Sequence, residues 1–178
     1  MYKFQRIIRE YRAYVIENPD TWLIHCKKRR SLTEAIKCAA ESINHKKKRH
    51  PHQYRLIKED LSLFANALLI YELEINDCQD FDELFVLVEK IGATVKGIGE
   101  MLIYDTAERI GCFKNVEPEN IYLHAGTRKG AEILLNKKLS KKIKYISRDL
   151  LPETLNNPSL SCSQLEDILC MYKHKFKD

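Results

Sequence analysis

The stretch Phe85–Gly111, FVLVEKIGATVKGIGEMLIYDTAERIG, decides how the chain folds. A helix opened upstream runs through Val88 to Ile91, and a second helical segment runs on from Glu100, so the stretch predicts two helices. Between them lie only Gly92-Ala93-Thr94-Val95-Lys96-Gly97-Ile98-Gly99. The glycines at 97 and 99 allow a left-handed turn and a close approach of backbone to a ligand, with no Cβ in the way. Ile98 between them can anchor the bend in a core. The second helix starts at Gly99 or Glu100, so its first N–H groups lack intrahelical acceptors and carry the positive end of the helix dipole. Such a terminus attracts anions. Lys96 can add a charge-assisted contact and Thr94 a hydroxyl, whereas Glu100 caps the same positive end and competes for it.

Upstream, Phe4, Ile7, Ile8, Tyr11 and Val15 recur at helical spacing, and Asn18-Pro19 stops that helix. Trp22, Leu23 and Ile24 open a short apolar element. Ser31-Leu32-Thr33-Glu34 reads as a capping box for a helix carrying Ala35, Ile36, Ala39, Ala40 and Ile43. A polar connection, His45 to His52 with Pro51 as breaker, leads to the longest expected helix, Gln53 to about Asn76. Its stripe is Leu56, Ile57, Leu61, Phe64, Leu68, Tyr71 and Ile75. Asp80-Phe81-Asp82-Glu83 is a second capping box. Beyond the hairpin, Ile121 to His124 fits either one turn of helix or a short extended piece, and Gly126 to Leu135 fits a helix. A helix from about Arg148, capped by Ser147, is expected to stop near Asn156-Asn157-Pro158. The last helix opens at Ser163-Gln164-Leu165-Glu166, a third capping box. The expectation is an all-α, compact multi-helix bundle, with an N-terminal lobe 1–76 and a C-terminal lobe 77–178.

With 44% apolar and 31% charged residues, and only 6 Gly and 5 Pro, the composition excludes collagen-like, low-complexity and wholly disordered chains and disfavours a turn-rich all-β body. No apolar run approaches the ~18 residues of a membrane span. The segment MYKFQRIIREYR has no apolar signal-peptide core. A cytoplasmic protein without a membrane partner is therefore expected. Cys26, Cys38, Cys78, Cys112, Cys162 and Cys170 form no Cys-x-x-Cys pair, and read as reduced thiols serving as small hydrophobes. The net charge is +5, and its distribution says more than its sum. Lys27 to Arg30, Lys46 to Arg49, and Lys137, Lys138, Lys141, Lys142 and Lys144 together hold 13 of the 30 Lys and Arg residues. Clustered cations suit a phosphate backbone, although helix C-termini favour the same residues.

Val95-Lys96-Gly97-Ile98-Gly99, of form hydrophobic-x-Gly-hydrophobic-Gly between two helices, resembles the helix-hairpin-helix family of DNA-binding motifs over about residues 85–111. The resemblance implies contact with the DNA backbone through main-chain amides, without reading sequence. Carried over by position, Lys96, Gly97, Ile98 and Gly99 form that phosphate site, with Thr94 beside them. Base-excision DNA glycosylases, to which the resemblance distantly extends, carry the same hairpin. Their bifunctional members have a nucleophilic lysine two residues after the second glycine, where this chain has Met101. Their catalytic aspartate lies in a Val-Asp-Thr-His segment. Tyr104-Asp105-Thr106-Ala107 is similar to it, but comes earlier after the hairpin and lacks the histidine.

Three other groups carry chemistry. Gly126, Thr127, Arg128, Lys129 and Gly130 read either as a secondary anion site or as a glycine-punctuated helix start, and lack the Gly-Lys-Ser/Thr ending of a P-loop. His124 offers a general acid or base near neutral pH, or a structural hydrogen bond. His50, His52 and Arg55 belong to a basic loop. With His45, these histidines have no carboxylate or cysteine at familiar ligand spacing, so neither a metal nor a cofactor is expected. The leading expectation is non-sequence-specific nucleic-acid binding, to DNA rather than RNA. The alternatives are an enzyme acting on nucleic acid or a phosphorylated substrate through His124, Asp105, His52 or Arg55, and a module that binds a protein partner.

Overall fold

The computed structural model describes residues 2–177. Helices hold 61% of the chain, and the one sheet among the described residues has two short strands, so the fold is all-α. No helix of the described residues is long and apolar enough to cross a membrane.

The chain divides into two compact units, Asp20–Glu117 and Met1–Pro19 with Pro118–Asp178. The expected boundary at residues 76 and 77 is thereby corrected, since it falls inside a helix, Glu72–Asp77. Apolar faces explain the true division. The helices flanking the hairpin pack on those before residue 76, and the first helix packs with the C-terminal one.

In the unit Asp20–Glu117, α2 (Thr21–Lys27), α3 (Leu32–Glu41), α4 (Lys58–Ile70), α5 (Glu72–Asp77), α6 (Phe81–Gly92) and α7 (Glu100–Lys114) surround a core that includes Ile36, Phe64, Leu68, Leu84, Val88 and Ile110. α7 packs against α2, α3 and α6, and α3 against α4. At α2, α3 and α6 the caps are side-chain oxygens. Asp20 accepts from Trp22 and Leu23, Ser31 from Glu34, and Asp80 from Glu83. The two expected boxes close one residue further out than their pattern suggests, because Glu34 accepts from the Arg30 amide and Glu83 from the Gln79 amide.

The long helix from Gln53 does not form. Residues 51–53 make a short 3-10 turn, α4 starts only at Lys58, and Tyr71 breaks the run before α5. The cause is local. Gln53 turns inward to a buried carboxylate, and Leu56 spends its carbonyl on the Arg49 guanidinium. Ile57 and Tyr71 of the expected stripe are accordingly exposed, at 60% and 40%.

In the other unit, α1 (Tyr2–Glu17) and α9 (Cys162–Met171) enclose a core with Ile7, Ile8, Leu155, Leu165 and Ile168. The Tyr11 hydroxyl donates to Asp167 at 2.7 Å. The segment after Pro118 is extended. β1 (Ile121–Tyr122) pairs antiparallel with β2 (Tyr145–Ile146), Ile121 opposite Ile146. β1 leads into α8 (Ala125–Leu134), which packs on α9. The helix expected from Arg148 is only a 3-10 turn, Arg148–Leu150. Leu151 precedes a proline and adopts extended φ/ψ, as residues before proline do.

α9 is capped by Ser161, with Gln164 completing the box, two residues before the expected cap at Ser163. That shift releases Glu166 from a capping role and turns it inward. A Cβ at Gly130 would land on the Leu169 carbonyl, so this glycine sets how closely α8 approaches α9. Gly130→Ala is expected to lower stability by about 1–3 kcal/mol, whereas Lys129→Ala, on the exposed side of the same turn, changes it by less than about 0.5 kcal/mol. Urea unfolding of the two variants checks this.

Candidate functional site

Three groups of side chains carry chemistry, two in the unit Asp20–Glu117 and one in the other. The first is the bend between α6 and α7. Gly97 sits at φ +85°, in the left-handed region. Ile98 packs back on the Gly92 position, as an anchor does. Thr94 spends its hydroxyl on the Ile91 carbonyl at 2.7 Å, so that oxygen faces its own helix end. Lys96, Gly97, Gly99 and Glu100 are exposed. Gly99 is the N-cap of α7 without a side-chain cap bond, and a Cβ there would meet nothing within 4 Å. Among the described residues, the amides of Gly99, Glu100 and Met101 donate to no protein acceptor. The Gly97 side differs, because a Cβ there would lie 3.2 Å from the carboxylate of Asp60, in the first turn of α4. The bend is therefore open on its Gly99 side and faces an acid on its Gly97 side.

The second group lies within three turns of that bend along α7. Arg109 is 2% exposed, and a buried guanidinium needs partners. It donates to the Ala39 carbonyl at 3.3 Å and Ser42 Oγ at 3.0 Å, both at the C-terminal end of α3, and to Asp105 at 3.4 Å. Asp105 also accepts from Gln53 at 2.6 Å and faces His52 Nδ1 at 3.7 Å. Gln53 Oε1 is buried without a hydrogen-bond partner among the described residues. Burial opposes ionisation of Asp105, but His52, the Arg109 charge and the Gln53 hydrogen bond outweigh it and hold the carboxyl at about 2. His50 packs edge-on against Trp22 and His52, with ring centroids 4.6 Å apart in both pairs. Arg55 stands apart on the exposed Tyr54, its guanidinium 5.3 Å from the ring centre.

Beneath this group, Cys26 and Cys38 bring their sulfurs to 2.8 Å, a pairing that a spacing of twelve residues did not suggest. The Cys26 thiol hydrogen bond draws Cys38 below the ordinary thiol range.

The third group joins α8 to α9. His124 is the N-cap residue of α8, and Thr127 lies three positions on. Glu166 and Cys170 stand four apart on α9, hence on one face. Glu166 contacts both His124 Nε2 and the Thr127 hydroxyl, which donates to it, while Thr127 Oγ1 lies 3.0 Å from His124 Nε2. His124 and Glu166 are each 6% exposed and Thr127 fully buried. Gly126 faces Cys170, and a Cβ there would meet the thiol sulfur. Arg128 is occupied by the carbonyls of Leu123, Ser140 and Ile143, and only Lys129 of the glycine-rich helix start is exposed. The glycines here make room for α9.

Sequence reading found His124 and Asp105 but missed Glu166, Cys170, Gln53 and Arg109. Glu166 was read as a cap, and no spacing rule joins residue 124 to residue 170. An i, i+4 Asp–Arg pair inside an apolar helix was the one available signal for Arg109. No protein-family model, curated protein or solved structure matches the chain, so the chemistry rests on these residues.

Burial, reinforced by the Arg109 charge, pushes His50 down to about 4 from the ordinary 6.5. Its folded form stays neutral where the unfolded chain takes a proton. The stability this gives is complete above about pH 6.5 and is lost as the pH falls toward 4. Asp105, lowered from 3.8 to about 2, contributes above about pH 3.8 and loses its share only as the pH falls toward 2. His50→Asn is therefore expected to flatten the decline in stability between pH 6.5 and 4.5, measured by urea unfolding at a series of pH values, while the loss below pH 3.8 persists.

Proposed function

We propose that the protein binds the phosphate backbone of nucleic acid, DNA in the first instance, without reading sequence. The phosphate docks on the amides of Gly99, Glu100 and Met101, with the Lys96 ammonium beside it. The observation that carries this reading is the open, undonated start of α7 next to a left-handed glycine. Helix N-termini of this kind bind anions through N–H groups and dipole together.

A second feature favours a polymer over a single anion. The connection between α3 and α4 exposes Lys46, Lys47, Lys48, His52, Tyr54 and Arg55. It is tied to α7 by the Gln53–Asp105 bond, five residues into the helix, and it runs directly into the turn of α4 that reaches Gly97. Exposed cations therefore lie in the same unit as the bend, on a connection tied to the helix that the bend starts. Tyr54, 61% exposed beside Arg55, offers a stacking face that a chain with mostly buried aromatics would lack. Asp60 and Glu100 set the limit on affinity, because both place negative charge near the incoming phosphate.

The enzyme reading through Asp105 has less support, since that carboxylate is already shared among Gln53, Arg109 and His52. The protein-interaction reading expects Gly97 to be buried against helices, and Gly97 is exposed.

Fluorescence anisotropy on a labelled duplex of arbitrary sequence tests the proposal. Affinity is expected to fall with salt at a slope of about −0.9 per phosphate neutralised, with little change when the sequence is scrambled. Lys96→Ala should weaken binding and Asp60→Asn tighten it, each by the ~0.2–1 kcal/mol of an exposed charge interaction. No binding at low salt, or indifference to both substitutions, refutes it.

A further inference from the structure

From the convergence of His124 Nε2, Glu166 and Cys170 Sγ between α8 and α9, we propose a binding site for a zinc-type divalent ion in the unit that contains both chain ends. It is independent of the hairpin reading and would survive its failure.

Geometry is the first support. One ligand atom from each of His124, Glu166 and Cys170 lies within 4.8 Å of the others. A tetrahedral zinc ion holds nitrogen at about 2.0–2.1 Å, thiolate at about 2.3 Å and carboxylate at about 2.0–2.2 Å, so its ligand atoms stand within that mutual range. Two ligands come from one face of α9, four residues apart. The third is presented by the residue that starts α8, at the end of β1. Paired strands and packed helices thus fix all three.

Charge is the second. Glu166 is 6% exposed, and its one ion-pair partner among the described residues is His124, with no lysine or arginine. A thiolate, a carboxylate and a neutral imidazole around a dication give a buried site of zero net charge. The other His/Asp group, His50–His52–Asp105, also brings its ligand atoms within 4.8 Å, but there Arg109 already neutralises the carboxylate and repels a cation.

The third support is the space made for the thiol. At Gly126 a side chain would collide with Cys170 Sγ and approach His124 Cε1 to 3.5 Å. The missing Cβ lets thiol and imidazole meet. Thr127, donating to Glu166, is the outer partner that orients a ligating carboxylate. Nitrogen, sulfur and oxygen donors together select zinc over magnesium or calcium. Three protein ligands leave a fourth position for water.

The test uses the full chain, stripped with chelator and titrated with Zn2+, with Co2+ as the spectroscopic probe. One ion per chain is expected, with a thiolate-to-cobalt charge-transfer band and affinity that weakens as the pH falls, because the thiol must lose its proton. Cys170→Ser should abolish the band and weaken zinc by more than the ~10–100-fold cost of an outer partner. Gly126→Ala should weaken it as well, and His52→Ala should leave it unchanged. Should the variants misfold, zinc protection of Cys170 from alkylation in the unaltered chain, located by mass spectrometry, decides. Failure to retain zinc, a cobalt spectrum without the thiolate band, alkylation of Cys170 unaffected by zinc, or loss of binding in His52→Ala but not Cys170→Ser overturns the proposal.

Discussion

A guanidinium in the core of the unit Asp20–Glu117 constrains what lies around it. Arg109 has almost no exposed surface, so each of its donors must find an acceptor inside the protein. The acceptors come from three directions. Asp105 lies one turn back on α7, the Ala39 carbonyl belongs to the last turn of α3, and Ser42 is the left-handed residue that terminates that helix. Asp105 then recruits Gln53, which pulls the connection after Pro51 against α7. Breaking a buried pair of this kind typically costs about 3–5 kcal/mol, because the surviving charge stays buried. The placement of the basic connection against α7 follows from that one requirement.

Much of the fold was legible because the chain states its helix limits locally. Asn18-Pro19 ends α1, Ser31 and Asp80 cap the helices they were expected to cap, and apolar spacing gave the buried faces of α1 and α3. The errors share a cause. Gln53 to Ile57 carries helical spacing, yet a buried hydrogen bond from Gln53 outweighs propensity there. Ser163 to Glu166 satisfies a capping pattern, yet Ser161 with Gln164 satisfies it two residues earlier and places Leu165, Ile168 and Leu169 in the core. Local rules offered two registers, and packing selected one.

The functional groups divide along the same line. The α6–α7 bend is contiguous in sequence, so its glycines, Lys96 and helix start could be read directly. What could not be read was Asp60, which arrives from a different helix and gives the Gly97 side an acidic neighbour. His124 and Cys170 are 46 residues apart and meet only because β1 and α9 share one core. A strand pairing of two residues, Ile121 with Ile146 and Tyr122 with Tyr145, helps fix where His124 stands.

The decisive measurement for the bend is made at its own amides. Titrating a short DNA duplex into the 15N-labelled protein at low salt and following backbone amide resonances reports contact residue by residue. Phosphate docking predicts the largest shifts at Gly99, Glu100 and Met101, with smaller ones across Lys46 to Arg55. Resonances at those three amides that stay put while the duplex binds elsewhere, or a spectrum unchanged throughout, would contradict it.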